Sequence, residues 1–182
     1  MNQFGLRRFI QALLRAALFL VSVDAAWGQF CNSNIPKSTP DADFVDHGDG
    51  TVTHNKTGLM WSRCLLGQSS NDCASGSATG YTWHQALEAA EASTLAGYSD
   101  WRLPNIKELA SIVEMACFYP SININAFPND NASSSGDTGL AVWSSSPDAS
   151  YSGHAWVFRF TVGEDDWYCK DNLCYVRLVR GR

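Results

Sequence analysis

The feature that most constrains the fold of this chain is a helix start that follows a proline in the stretch 97–114. Asn105 can accept a hydrogen bond from a free backbone N–H of the first turn, and Glu108, three residues later, can bond back to the cap. The apolar residues that follow recur at helical spacing. They are Ile106, Leu109, Ala110 and Val113. The sequence therefore predicts an amphipathic helix that begins at Asn105, runs towards Cys117 and buries one side.

A second amphipathic helix is predicted upstream of the first. Thr82 is a candidate N-cap, and Gly97 is expected to end the helix. Its apolar residues keep a near-helical period, and they are Trp83, Ala86, Leu87, Ala90 and Leu95. Both helices need other apolar surface to cover them, and strand-like segments at the two ends of the chain supply it.

The N-terminal strand signals are short. Segments 44–45 and 46–53 are joined by a turn at Asp49-Gly50, where glycine supplies a positive φ without steric cost. A third segment follows at 59–61. We therefore predict a small antiparallel sheet in this region.

The C-terminal third is also strand-like. Large apolar residues occupy every second position from 156 to 162, which is the period-two pattern of a half-buried strand. They are Trp156, Phe158, Phe160 and Val162. Residues 167–169 and 174–179 are predicted to pair as a hairpin. Five tryptophans are expected in the core, whereas Trp167 and Tyr151 are expected to be exposed. The five are Trp61, Trp83, Trp101, Trp143 and Trp156.

Residues 1–28 are typical of a secretory signal peptide. A basic start is followed by the apolar run 16–23 and by small residues, with a cleavage site expected at Ala26-Trp27-Gly28. The alternative is a membrane anchor, but the uninterrupted run is about half of the ~20 residues that a spanning helix needs. After the signal peptide we expect a leader at 29–43 and a single domain at 44–182, with no membrane insertion after cleavage.

The net charge and the cysteine content limit the classes of function that the chain can have. Cleavage removes three Arg and one Asp, so the 13 basic and 18 acidic residues become 10 and 17, a net charge of −7 that disfavours nucleic acid as a partner. Six cysteines in an exported chain indicate disulfides, although fifteen connectivities are possible. We predict Cys64–Cys73 and Cys169–Cys174, which close short loops, and Cys31–Cys117 by elimination.

Ordered motifs carry a resemblance to a bacterial family. They are Gly-Asp-Gly-Thr-Val-Thr at 48–53, Thr-Gly-Leu-Met-Trp at 57–61, Trp83 with Ala86-Leu87, Gly-Tyr-Ser-Asp-Trp-Arg-Leu-Pro-Asn at 97–105, Phe-Pro-Asn at 127–129, Trp-Ser-Ser-Ser-Pro at 143–147 and Tyr-Val-Arg-Leu-Val-Arg at 175–180. Over 44–180 the chain resembles the domain of unknown function 1566, also called the C-terminal domain of Legionella collagen-like protein. The chain has no Gly-X-Y repeat, so a trimerising collagen stalk is not carried over.

The resemblance implies an α+β, C-type-lectin-like domain, with two helices packed on small antiparallel sheets and long loops that present a binding surface. It also implies a secreted, periplasmic or cell-surface protein involved in adhesion. Glycans and surface proteins are the expected partners. We expect the loops 121–139, 148–154 and 164–172 to form the recognition face. The candidate ligand-binding residues are Tyr151, His154, Asp165 and Trp167.

No nucleophile with a neighbouring base is evident, so we expect a protein that is not an enzyme. Two alternatives remain: a structural subunit of a surface filament or pilus tip, and an oxidase-like enzyme on the scaffold of formylglycine-generating enzymes, whose chemistry needs paired reactive cysteines. The histidines lack zinc spacing, and no metal site or cofactor is assigned. Calcium remains possible because oxygen ligands occur at Asp46 and Asp49, at 129–137 and at 164–166, although none has EF-hand spacing.

Overall fold

The computed structural model describes residues 29–128 and 140–181. Within these ranges it contains helices α1 (Trp83–Glu91) and α2 (Ile106–Ala110), and 3-10 turns at Asp41–Asp43 and Leu95–Gly97. The strands are β1 (Phe30–Cys31), β2 (Phe44–Asp46), β3 (Thr51–His54), β4 (Leu59–Ser62), β5 (Gln68–Ser69), β6 (Ser75–Gly76), β7 (Cys117–Phe118), β8 (Ala141–Pro147), β9 (His154–Arg159), β10 (Glu164–Cys169) and β11 (Val179–Arg180). The predicted signal peptide and loop residues 129–139 lie outside the described residues.

The strands form small antiparallel sheets, so the predicted α+β class is confirmed. One sheet has the order β11-β4-β3-β2 and a second has the order β10-β9-β8, while β1-β7 and β5-β6 are two-stranded. The predicted turn between β2 and β3 is present. Gly48 and Gly50 adopt φ values of 73° and 87°, and the Asp49 carboxylate accepts a hydrogen bond from the Thr51 N–H.

Helix α1 begins where the sequence predicts. Thr82 and Gln85 form a reciprocal capping box, in which each side chain accepts a hydrogen bond from the other residue's backbone N–H. The helix buries Ala86 and Ala90. It ends at Glu91, before the predicted end at Gly97, because the chain turns into the 3-10 segment.

Helix α2 also begins at its predicted cap but is much shorter than predicted. Asn105 and Glu108 form a capping box, and Arg102 holds the Glu108 carboxylate through hydrogen bonds of 2.8 and 2.7 Å. Leu109 is buried, whereas Ala110 is exposed, which differs from the predicted buried face. The helix ends where the Ile112 N–H bonds to the Leu109 carbonyl rather than to that of Glu108, and the Glu114 N–H then bonds to the Ser121 carbonyl.

Strand β8 lies between two buried clusters, because successive strand residues point to opposite faces. Val142 packs in the cluster that contains Leu109 of α2. Trp143 packs in the cluster that contains Ala86 of α1. The two helices therefore cover opposite faces of the β10-β9-β8 sheet.

The predictions for the C-terminal strands were right for Phe158 and Phe160, which are buried, but wrong for Trp156 and Val162 and for the strand pairing. The residues buried in β9 are Ala155, Val157 and Phe158, whereas Trp156 is half-buried and was expected in the core. Cores on both sides of the sheet explain why simple alternation fails here. The predicted pairing of 167–169 with 174–179 is also absent, because β10 pairs with β9 and β11 pairs with β4.

Two of the three predicted disulfides are present. They are Cys31–Cys117 and Cys64–Cys73. The predicted Cys169–Cys174 bond is not formed. Cys169 is exposed on β10, whereas Cys174 is buried in the cluster that contains Trp143, so the two thiols occupy different environments. Short sequence spacing was not enough to bring them together.

The segment 29–43 is tied to the rest of the domain through the buried carboxylate of Glu114. The backbone N–H groups of Ser38 and Thr39 each donate to this carboxylate at 3.0 Å, as does that of Ala116. Burial raises the pKa of Glu114, but these hydrogen bonds outweigh it and hold the pKa below its ordinary value. The carboxylate is therefore ionised and fully paired inside the protein.

Candidate functional site

Three of the four predicted ligand-binding residues lie in mutual ring contact. The Tyr151 and Trp167 rings are stacked with centroids 6.1 Å apart and an interplanar angle of 24°. The His154 ring stands edge-on to both, at 4.9 Å from Trp167 and 5.7 Å from Tyr151. These separations are those of attractive aromatic pairs. The residues were proposed from separate segments of sequence, and the fold brings them together.

Strand pairing positions the rings of His154 and Trp167 and brings a fourth ring, that of Trp156, beside them. His154 lies opposite Cys169 and Trp156 lies opposite Trp167 in the β9–β10 ladder. Residues directly opposite each other in an antiparallel pair point to the same face, so the two tryptophans are neighbours on one surface. We define the aromatic strip as Tyr151, His154, Trp156 and Trp167.

The loop between β8 and β9 positions Tyr151. The Asp148 N–H donates to the His154 carbonyl at 3.1 Å, and the His154 N–H donates to the Tyr151 carbonyl at 2.9 Å. Lys170 fastens the loop from the other side, because its ammonium donates to the Ser152 carbonyl at 2.7 Å. The tyrosine is thus held on a bonded turn beside two paired strands.

Large parts of the strip are open to solvent. Tyr151 is 59% exposed and Trp167 is 47% exposed. Neither ring belongs to the two buried clusters. His154 is half-buried, and its Nδ1 has no hydrogen-bond partner within the described residues. The strip therefore presents apolar ring surface to solvent, while the His154 Nδ1 is buried within the protein.

Asp165, the fourth predicted residue, lies two positions before Trp167 on β10 and so shares its face. Its carboxylate is exposed. The flanking carboxylates of Glu164 and Asp166 both approach the Arg159 guanidinium, at 3.2 and 3.4 Å. Asp165 is therefore the carboxylate of β10 that lies on the same face as Trp167.

The structure changes the predicted recognition face in two ways. Residues Glu164–Cys169 form strand β10 rather than a loop, so the site is a strand surface flanked by the 148–153 turn. Trp156 joins the site although the sequence placed it in the core. Only the cross-strand register reveals it, since that register sets it opposite Trp167. Of the loop 121–139, residues 129–139 lie outside the described part of the chain.

Of the proposed calcium ligands that the structure describes, Asp46 and Asp49 are engaged with other protein groups, as are Glu164 and Asp166, whereas Asp165 is exposed. Asp46 pairs with the Arg63 guanidinium, and Asp49 accepts from the Thr51 hydroxyl at 2.6 Å. Among residues 29–128 and 140–181, no group of three or more His, Cys, Asp or Glu side chains is placed to hold a metal ion. The oxygen ligands at 129–137 are not described.

A second exposed aromatic cluster lies at the β1–β7 pair. The rings of Phe30 and Phe118 are stacked 5.4 Å apart, and Tyr119 adjoins Phe118 at the same distance. All three rings are about half exposed. Its ring contacts within the described residues are to other Phe and Tyr rings, whereas those of the aromatic strip include the His154 imidazole.

A family comparison agrees with the motifs of the sequence. The family model of the Lcl C-terminal domain matches residues 50–180. The chain belongs to the Lcl C-terminal domain family. The matched range of this Lcl C-terminal domain contains both helices and the whole aromatic strip. No curated protein matches the chain.

Membership in the family bears on location. An Lcl C-terminal domain is an extracellular domain of a surface protein, and two disulfides are consistent with an oxidising environment. No helix within the described ranges has the length and apolar character needed to cross a membrane. The family and the disulfides together indicate an extracellular location.

Proposed function

We propose that the protein is an exported recognition domain of C-type-lectin-like architecture that binds a glycan through the aromatic strip. One observation carries the proposal: Tyr151, His154 and Trp167 are in ring contact with one another while the two larger rings stay about half exposed. Large aromatic side chains are normally buried, so a group of them held at the surface marks an interaction site.

The chemistry of the strip suits a sugar. The C–H face of a pyranose ring packs on an aromatic face, and sugar hydroxyls bond to carboxylate and imidazole groups. Trp167 and Tyr151 offer the faces, while Asp165 and His154 offer the polar groups. Binding sites of this kind combine apolar area with a few polar groups that fix orientation.

The function that we propose is binding without catalysis. Cys64 and Cys73 are joined, and burial raises the pKa of Cys174 to about 12, so this thiol is a poor source of the thiolate that oxidase chemistry requires. The cysteine chemistry therefore favours recognition over oxidation. Turnover of a thiol substrate with copper-loaded protein would reverse that preference.

A glycan array tests the proposal when it is run with three forms of the protein. We expect the wild-type protein to bind defined glycans, and Trp167→Ala to lose at least about tenfold in affinity, since aromatic anchors of binding sites contribute 2 kcal/mol or more. Phe118→Ala is the matched control, because it removes an equally exposed ring from the other aromatic cluster and should leave binding unchanged. Binding that survives Trp167→Ala would refute the assignment of the strip.

Calcium dependence can be read from the same array. We expect a chelator to leave binding at the strip unchanged, because Glu164 and Asp166 are paired with Arg159. Loss of all binding in chelator would mean that a calcium ion bridges the sugar, as in calcium-dependent C-type lectins.

The second exposed aromatic cluster supports another candidate function, a structural subunit of a surface filament. Phe30, Phe118 and Tyr119 form an apolar patch that a neighbouring subunit would cover. Analytical ultracentrifugation distinguishes the two functions. Concentration-dependent assembly that Phe118→Ala abolishes would favour the filament, whereas a monomer at all concentrations would favour the recognition domain alone.

A further inference from the structure

A cavity of about 450 Å³ lies in a different part of the domain from the aromatic strip. It is bounded by the turn before β3, by the loop that Cys64–Cys73 closes, and by the segment that follows α1. Its apolar lining includes the buried side chains of Leu65 and Leu178 together with Leu95. Small-molecule sites typically occupy about 300–1,000 Å³, so the volume is sufficient for a small ligand.

The polar lining offers neutral groups that the fold does not use. Gln68 accepts a hydrogen bond from the Leu65 N–H at 3.1 Å through its carbonyl oxygen, which leaves its amide NH₂ without a partner within the described residues. The side chains of Asn71 and Thr94 likewise make no hydrogen bond to the described part of the protein. These groups can both donate and accept, as sugar hydroxyls require.

The charge of the lining restricts the class of ligand. Among the described residues, the lining contains no lysine, arginine or histidine, and its acidic group is Asp49. The hydrogen bond from the Thr51 hydroxyl lowers the pKa of Asp49, so the carboxylate is ionised at neutral pH. Phosphates and carboxylates would therefore meet a negative charge with no compensating cation. A metal ion would find a single carboxylate, and no ligand group of three is present among the described residues.

The rim of the cavity is held by covalent and backbone constraints. The disulfide between Cys64 and Cys73 closes the loop, and strand β5 inside the loop pairs with β6, which follows Cys73. Gly67 and Gly76 approach so closely that a Cβ on Gly76 would lie 2.3 Å from the Gly67 carbonyl oxygen. The backbone that carries Gln68 and Asn71 is consequently positioned before a ligand arrives, which reduces the entropy cost of binding.

We propose that this cavity is a second, independent binding site that takes one neutral monosaccharide unit. The leucine floor packs against the C–H face of the sugar, while Gln68, Asn71 and Thr94 bond to its hydroxyls. Asp49 accepts from a hydroxyl at the edge and excludes acidic sugars. The site does not depend on the aromatic strip, and each site can fail without the other.

Titration by ¹H–¹⁵N NMR tests the proposal with a matched pair of probes. D-glucose and D-glucuronate share a ring and differ in one carboxylate, and D-galactose, D-mannose and N-acetyl-D-glucosamine widen the neutral set. We expect at least one neutral sugar to shift the amide signals of Gln68, Asn71 and Thr94 at millimolar concentration. We expect glucuronate to shift them at least about tenfold more weakly, because of Asp49.

Three variants complete the experiment. Thr94→Trp fills the cavity from an exposed position and should weaken binding at least about tenfold. Ser75→Trp is the control, because it adds the same ring at an exposed position on strand β6, outside the residues that line the cavity. Trp167→Ala should not change these shifts. Should Thr94→Trp fail to fold, Asn71→Leu removes the amide without adding bulk.

The outcomes decide the proposal in either direction. Sugar-dependent shifts that Thr94→Trp or Asn71→Leu weakens, and that Ser75→Trp leaves unchanged, support it. The absence of shifts with every neutral sugar, equal binding of glucuronate, or binding unaffected by the cavity variants overturns it. Because Trp167→Ala is measured in parallel, failure here is distinguishable from failure of the aromatic strip.

Discussion

The buried carboxylate of Glu114 and the exposed rings of the aromatic strip are opposite departures from the usual distribution of side chains. Glu114 is only 1% exposed but accepts hydrogen bonds from three backbone N–H groups. Trp167 is 47% exposed and makes no side-chain hydrogen bond within the described residues. One is a polar group inside the protein, and the other is an apolar group outside it.

The difference between them separates structure from binding. A buried charge with all its partners supplied by the protein has nothing left to offer a ligand, so Glu114 serves the fold. A ring with one face in solvent has unused binding surface, so the strip is available to a partner. If this comparison is sound, changes near Glu114 should alter stability, whereas changes in the strip should alter binding.

The largest expected effect comes from placing a charge in the core without the partners that Glu114 has. Leu109 is fully buried in the cluster around α2. We predict that Leu109→Asp destabilises the protein by about 5 kcal/mol, enough to abolish secretion of folded protein, because the carboxylate is buried unpaired. Lys107→Asp, on the exposed side of the same helix, is the control. Normal yield of folded Leu109→Asp would show that burial of charge is not costly at this position.

The Cys31–Cys117 disulfide should have the next largest effect. It joins the segment that carries Ser38 and Thr39 to the domain, and thereby holds the donors of Glu114 in place. We predict that replacing both cysteines by serine lowers the free energy of unfolding by about 2–5 kcal/mol. Cys169→Ser, at an exposed free thiol, should leave it unchanged. Denaturant unfolding of the three proteins measures the difference.

The sequence predicted the parts of the fold that local chemistry determines. Both helix starts follow from capping boxes at Thr82 and Asn105, because each box needs only four neighbouring residues. The β2–β3 turn is equally local. Helix length was not predictable, since α2 ends at Ala110 and the chain soon bonds to Ser121 through Glu114, a contact that depends on how a later segment returns.

The sequence likewise predicted some residues of the candidate site and missed others. Tyr151 and Trp167 stood out because they lie outside the family-like motifs that contain most of the tryptophans expected in the core. Trp156 was missed because its exposure depends on the cross-strand register with Trp167, which alternation in a single strand does not contain. The unbonded state of Cys169 and Cys174 was missed for a similar reason, since sequence spacing does not show that one thiol is exposed and the other buried.

A smaller effect is expected from neutralising Glu114 itself. Glu114→Gln preserves the shape but weakens the bonds from Ser38, Thr39 and Ala116, and we predict a loss of about 2 kcal/mol at neutral pH because bonds to a charged group are stronger. The pKa of Glu114 is lowered in the folded protein, so its contribution is present above the ordinary pKa near 4.5 and is lost as pH falls below it.

Urea unfolding at several pH values tests this prediction. The difference between wild type and Glu114→Gln should be constant near neutral pH and should shrink as the solution is made more acidic than about pH 4.5. Glu164→Gln, at an exposed and partly salt-bridged carboxylate, should show a much smaller difference. A gap between the Glu114 variant and wild type that widens in acid would contradict the sign of the pKa shift.

The smallest effect on stability should come from the strip, where the comparison with Glu114 is most direct. We predict that Trp167→Ala changes the free energy of unfolding by about 0.5 kcal/mol or less, as expected for a surface substitution away from caps and buried networks. Trp143→Ala removes the same side chain from a fully buried position and should cost about 3–5 kcal/mol. Thermal unfolding of both variants checks the contrast. A large loss of stability in Trp167→Ala would mean that the exposed ring holds the β9–β10 hairpin together, and the strip would then be a structural element like Glu114 rather than a surface kept free for a ligand.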